Sequence, residues 1–340
     1  MSETKKPFLN NIHLFRAFAI ICVVAVHTWH IPSKYKQGHD GAYLLVEQIR
    51  EVFFHDSTTY FVFISGFLFF YLSSNFNVNK YYQSKLKRVL VPYILLTTLL
   101  AVSGRVDVAG DHFFDLASVY LGGTAQTQFW YIPFIAVVFL VSPLLLNINF
   151  SGVGIVLIAL IPLLGTRTGT EITFWQFAYF SPAYVLGIYC AQNYEVIKNQ
   201  IEKKYYFLIS IAIISSAALF YISNSTVFFG PLRFNAFESV QYVQKISIIG
   251  ILIYFFNHFE EGRYKLLDKI ATYSFPIFFT HSFAKKLIPT GIIFYNPGNV
   301  SILTFVSSIL YVVSILFLCL FLCMLLKKLL RRYSVYLIGI

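Results

Sequence analysis

Apolar stretches long enough to cross a bilayer recur along the whole of this 340-residue chain. Inside lipid, backbone N–H and C=O groups have no water to bond, so each spanning stretch is expected to satisfy them internally as a helix. A hydrocarbon core of ~30 Å needs about 20 such residues. Read on that basis, the chain has about ten spans, at 10–29, 52–73, 89–104, 128–147, 152–165, 174–191, 205–223, 237–257, 269–290 and 300–326. The fifth is short enough to be tilted or re-entrant. The expected fold class is an all-α polytopic membrane protein, with residues 1–340 forming one transmembrane domain and no additional soluble domain.

Composition agrees: 57% of residues are hydrophobic and only 12% charged, proportions foreign to a soluble domain. The first span carries Arg16 and lacks a small-residue cleavage site, so it is expected to stay as a helix. Lys and Arg set its orientation. With the N terminus inside, basic runs at Lys5–Lys6, 80–88, 198–204, 263–269 and 327–332 fall on the cytoplasmic side and outnumber those outside. Both termini are then cytoplasmic, as an even number of spans requires. The net charge of +11 is explained by these helix ends and by anionic membrane lipid, without invoking nucleic acid. Cys22, Cys190, Cys319 and Cys323 all fall in spans without metal-type spacing and read as small hydrophobes. His27 and His30 lack an evident third ligand, so no metal site is expected.

Arg16 and His27 both lie in the first span, where ionisable groups are functional candidates by default. Eleven residues of helix advance by about 1100°, three turns plus roughly 20°, which puts the two side chains on one face about 16 Å apart. Singly, Arg16 can be a snorkelling residue and His27 an interfacial histidine. Together they present a cation below a proton-transfer group.

Several local patterns resemble the acyltransferase 3 family of bacterial integral-membrane O-acyltransferases that modify surface polysaccharides. The most specific is Arg-x10-His, here Arg16 to His27. The second is Phe61-Val-Phe-Ile-Ser65-Gly66-Phe67, in which Val62 replaces an aromatic residue. A basic run into Pro-Tyr follows, Lys85-Leu-Lys87-Arg88-Val-Leu-Val-Pro92-Tyr93, with two Lys where the family often has Arg. Weaker echoes are Trp130-Tyr131-Ile-Pro133, Tyr184-Val-Leu-Gly187 and Ser274-Phe-Pro276-Ile-Phe-Phe-Thr-His281. The resemblance implies transfer of an acyl group, usually acetyl, from cytoplasmic acyl-CoA (acetyl-CoA) to a sugar hydroxyl outside, in the bacterial inner membrane. Acyl-CoA is then a cosubstrate, with no cofactor bound permanently. The acceptor is a polysaccharide or a lipid-linked sugar.

On that reading a phosphopantetheine arm lies along the first helix, its phosphates met by Arg16 and by the run of Lys85, Lys87 and Arg88. The thioester reaches His27, which either takes the proton of the attacking hydroxyl or itself accepts the acyl group. Ser65 and Gly66 read as a helix-packing pair, with Ser65 a polar neighbour of the donor path. Pro92 and Pro276 are expected to kink helices lining a cavity. Glu238, Gln241 and Lys245 at i, i+3, i+7 form one polar stripe that is either an acceptor cavity or a structural ion pair. His281 is expected at the depth of His27, where it either meets that residue across the bundle or packs helices. Trp29, Tyr35, Trp130, Tyr131 and Trp175 mark the aromatic belt, and the loop from Arg105 to Gln128 an acceptor-selecting lid. The chain is expected to lack the extra hydrolase-like domain found in some longer family members. A transporter of lipid-linked oligosaccharide would show repeat symmetry, which the sequence lacks. A non-catalytic subunit of an export complex gives no reason for a cation and an imidazole on one helix face.

Overall fold

A computed structural model describes residues 7–30, 40–104, 112–167, 172–222, 227–229, 232–288 and 302–340. Helices make up nearly all of it. They run α1 (Asn10–Thr28), α2 (Asp40–Ile49), a π-turn π1 (Arg50–Phe54), α3 (Thr58–Tyr71), α4 (Val78–Lys85), a second π-turn π2 (Leu86–Leu90), α5 (Val91–Val102), α6 (His112–Gly122), α7 (Tyr131–Val141) and α8 (Gly152–Leu160). The second half contains α9 (Phe174–Gln192), α10 (Tyr194–Lys203), α11 (Tyr205–Leu219), α12 (Ala236–Asn257), α13 (Lys265–Thr272), α14 (Ser274–Leu287), α15 (Ile302–Leu330) and α16 (Ser334–Ile338). Between α11 and α12 a small antiparallel hairpin pairs Val227 with Phe234.

Among the described residues, four helical stretches are long and apolar enough to cross a membrane: Asn10–Thr28, Leu44–Tyr71, Ala236–Asn257 and Phe305–Ile338. Shorter apolar helices cover Tyr131–Leu145, Gly152–Leu163 and Tyr205–Leu219. This is a membrane protein. The expected lid is partly helical, as α6, while 105–111 lies outside the described residues, as does Tyr35.

Helix α1 is apolar all round because it is packed all round, against α3, α12, α13, α14, α15 and π1. Its start lies beside the end of α3, where the Tyr71 hydroxyl donates to the Pro7 carbonyl at 3.0 Å. Its other end meets π1, with Trp29 edge-on to Phe54 at 5.3 Å. The two helices therefore run antiparallel. Asn11 ties the same end of α1 to two other elements, its amide donating to the Tyr194 hydroxyl at 2.7 Å and to the Ile253 carbonyl at 3.4 Å.

The closest helix contact joins α3 to α9. A Cβ on Gly66 would lie 2.0 Å from the Tyr184 carbonyl oxygen, and one on Gly187 2.2 Å from that of Phe63. Only glycine permits this approach. The packing role expected of Gly66 is thus met by the other small-residue motif, Tyr184-Val-Leu-Gly187.

Three expectations need correction. Pro276 sits in the first turn of α14 rather than at mid-helix, where a missing N–H breaks no helical bond, whereas Pro92 follows π2 within the unbroken helical run from α4 to α5, beside the cavity that Arg88 and Val89 line, as expected. Pro182 lies within α9. Trp29 and Trp130 do not form an outer belt: both are buried, Trp29 donating to the Ser308 hydroxyl at 2.7 Å and Trp130 packing on Phe180. Apolar neighbours on adjacent helices take the place of lipid headgroups. The ninth expected span, 269–290, is divided at Tyr273 into α13 and α14.

Replacing Gly66 or Gly187 with Ala is expected to destabilise the bundle by at least the ~1–3 kcal/mol of ordinary overpacking, because backbone rather than a flexible side chain must move. Thermal unfolding of the purified variants in detergent measures it.

Candidate functional site

Between α1 and α14 the structure forms three cross-links in order along the two helices. The Arg16 guanidinium donates to the Ser274 hydroxyl at 3.1 Å. Higher up, the His27 and His281 rings stack with centroids 5.2 Å apart and planes 28° apart. Beyond them the Lys285 ammonium donates to the His27 carbonyl oxygen at 2.9 Å. Ser274, His281 and Lys285 share one face of α14 because they are spaced by seven and four residues. The expected meeting of His27 and His281 across the bundle therefore occurs.

A cavity of about 560 Å³ opens at the Arg16 end. Four cations line it, Arg16, Lys80, Lys85 and Arg88, and no carboxylate does. Asn75, Asn77 and Ser84 add neutral polar groups near the rim, and the inner wall is apolar and aromatic, including Phe61, Ile64, Tyr131, Phe139 and Phe278, with Ser65 among them. The cavity stops short of the histidines by one turn of α14, where the Phe278 ring lies 6.3 Å from that of His281.

The chain places these cations by an irregular local fold. The stretch from Leu86 to Leu90 is a π-turn, and Pro92 just beyond it cannot donate to the carbonyl of Arg88, four residues back. Lys85 lies with its ammonium 3.9 Å from the Phe139 ring centroid. Burial, with Arg16 and Arg88 nearby, pushes its pKa down to about 8. Lys87 is exposed and does not line the cavity.

The polar stripe of α12 faces inward but does not line this cavity. Gln241 donates to the Glu51 carbonyl at 2.6 Å, and Lys245 donates to the carbonyls of Val52 and Phe53 at 3.3 and 2.9 Å. All three oxygens belong to π1, whose wide turn leaves carbonyls in need of donors. Glu238 instead accepts from the Thr166 hydroxyl, from the Arg167 backbone N–H at 2.9 Å and from its Nε at 3.2 Å. Arg167 also pairs with Asp56 at 2.9 Å and donates to the His55 ring. Asp56 has a φ of 56°, a strained backbone for a non-glycine residue, and its other oxygen accepts from the Tyr179 hydroxyl at 2.8 Å. Burial disfavours the Arg167 charge, yet Asp56 and Glu238 outweigh it and keep the guanidinium above its ordinary pKa. The stripe thus serves as a brace that fixes the break between π1 and α3.

His281 is wholly buried. Its Nδ1 lies 3.2 Å from the Ile277 carbonyl, which can only accept, so Nδ1 carries the proton and Nε2 a lone pair. That Nε2 is buried without a hydrogen-bond partner in the structure, an arrangement that costs about 1–3 kcal/mol.

Sequence reasoning missed Lys80, Ser274, Lys285 and Arg167. Lys80 opens the basic run already noted, and Lys285 is one turn past His281, so helical spacing could have found both. Arg167 lies between helices and finds its partners more than 70 residues away on either side, where no periodicity applies.

A nearly all-helical membrane domain thus carries a cation-lined cavity at one end of the α1–α14 seam and a stacked histidine pair farther along it. The model of the acyltransferase domain of the acyltransferase 3 family matches residues 9–328, and the chain belongs to that family. It is a membrane acyltransferase. Comparison with curated proteins and with solved structures finds no match.

Substituting Arg167 with Met leaves Asp56 and Glu238 buried without their cation and is expected to destabilise the fold by about 3–5 kcal/mol. Denaturation of the detergent-solubilised variant beside wild type measures the loss.

Proposed function

We propose that this acyltransferase moves an acyl group, acetyl by default, from cytoplasmic acyl-CoA to a hydroxyl of a cell-surface or exported polysaccharide. It would do so in the bacterial inner membrane, with about ten crossings and both termini cytoplasmic. The observation that carries the reading is the cationic cavity at the Arg16 end, which reaches along α14 from Ser274 to Phe278, one turn short of His281. A CoA donor is an elongated polyanion whose reactive end is thin and uncharged, and the cavity offers it four cations together with an apolar, aromatic lining.

In this assignment Arg16, Lys80, Lys85 and Arg88 meet the phosphates, Arg residues in bidentate fashion and Lys residues as point charges. The pantetheine arm follows the α1–α14 seam past Ser65 and Phe278. The thioester then lies against His27, at the end of α1 where a sugar hydroxyl arrives from the opposite side of the membrane. Lys285, bound to the His27 carbonyl, puts a positive charge next to the position where a tetrahedral intermediate would develop its oxyanion.

The direct test is O-acetyl content of the surface polysaccharide, read by NMR before and after mild base, in a deletion strain complemented with wild-type or His27→Ala protein. Acetyl signals restored by wild type alone are expected. Equal acetylation in both complemented strains and in the deletion strain would refute the assignment. A second expectation concerns Lys85, which is charged below about pH 8 and neutral above it. Affinity for acetyl-CoA should be full below that pH and weaken as pH rises through it, with the midpoint displaced upward because bound phosphate favours the charged form. Titration calorimetry across about pH 6.5 to 9.5 checks this against Lys85→Arg, which should flatten the decline.

A further inference from the structure

The stacked histidines cannot act in series. A relay from one imidazole to the other needs an in-plane hydrogen bond, whereas these rings lie nearly face to face and no such bond joins them. The His281 Nε2 lone pair is therefore not there to orient His27. It is buried, its tautomer is fixed by the Ile277 carbonyl, and among the described residues it has no donor.

The missing donor can be identified from the chemistry of the reaction. The reacting end of an acyl thioester carries a carbonyl oxygen and a sulfur, both acceptors, and no N–H or O–H. The other substrate brings a hydroxyl, and that O–H is the one donor present at the reacting atoms. A bare, buried lone pair beside His27 complements it. We infer that His281 is a catalytic residue, its Nε2 binding the acceptor hydroxyl and taking its proton, while His27 deals with the acyl donor on the other side of the stack. This rests on the transferase reading above.

The step balances. The hydroxyl oxygen attacks the acyl carbon and forms the new C–O bond as its proton passes to His281 Nε2. The bond from the acyl carbon to its leaving atom breaks, and the electron pair departs with that atom. The leaving atom is the thioester sulfur in direct transfer, or the His27 ring nitrogen if the acyl group rests there first. Protonated His281 then gives its proton to the thiolate or to water and returns to the neutral tautomer. No oxidant, reductant or metal is needed.

The test uses full-length protein in membrane vesicles, radiolabelled acetyl-CoA, and polysaccharide extracted from the deletion strain as acceptor. Wild type, His281→Gln, His281→Ala and His27→Ala are compared per amount of folded protein, measured by detergent size exclusion. His281→Gln keeps an acceptor oxygen but no base. Its kcat should fall by about 100-fold or more, within the range of a lost general base, with the KM for acetyl-CoA little changed. Added imidazole should restore activity to His281→Ala and leave wild type unaffected. Near-normal kcat in His281→Gln would overturn the role. So would a loss expressed as a raised acetyl-CoA KM without imidazole rescue, which would mean that His281 only shapes the donor path. Wild-type protein that transfers no label would overturn the transferase reading and this role with it.

Discussion

The carbonyl oxygen of Tyr184 occupies the space in which a side chain on Gly66 would begin, and much of the architecture depends on that contact. It brings α3 and α9 to backbone distance, so the opposite face of α3 is presented to the cavity as a fixed wall carrying Phe61, Ile64, Ser65 and Leu68. With no hydrophobic force between helices in lipid, such close packing is a main source of specificity. A short helix anchored in this way can serve as a reference surface for α1. On the opposite side of α1, α14 completes the seam.

Two π-turns interrupt the described helices, and both bear on the site. At π2 the backbone accommodates Pro92 while carrying Arg88 to the cavity. At π1 and the break that follows, side chains of α12 reach across to bind freed carbonyls, and Arg167 fixes a left-handed aspartate. Irregular backbone at membrane depth is tolerated only where protein supplies the missing bonds. Lys245, Gln241 and Arg167 supply those bonds, and this explains why charged groups lie so deep without lining the cavity.

What the sequence made legible follows from helical geometry. Arg16 and His27 are held to one face by a spacing of nearly whole turns, and His281 was placed at the right depth although its helix starts later than expected. Arg88 joins Lys85 at the cavity, while Lys87 between them is exposed and does not line it. The π-turn at Leu86–Leu90 changes the angular spacing there, so a regular helical period does not sort the basic run into faces. The α12 stripe was correctly turned inward, but its partners lie on π1 and in the segment holding Arg167, and neither a π-turn nor a contact across 70 residues leaves a periodic trace. Aromatic residues misled for a related reason: Trp29 and Trp130 fall at span ends in sequence, yet neighbouring helices overlap those ends and enclose the rings.

The four cations that line the cavity have a consequence for turnover. Under the proposed assignment, the cations hold the nucleotide portion of the carrier, which chemistry leaves unchanged. Spent and loaded carrier therefore share nearly all their binding contacts, and only the small acyl group tells them apart. An enzyme built this way senses the ratio of acylated to free carrier in the cytoplasm, and acylation of the cell surface would follow the metabolic state of the cell with no separate regulatory site.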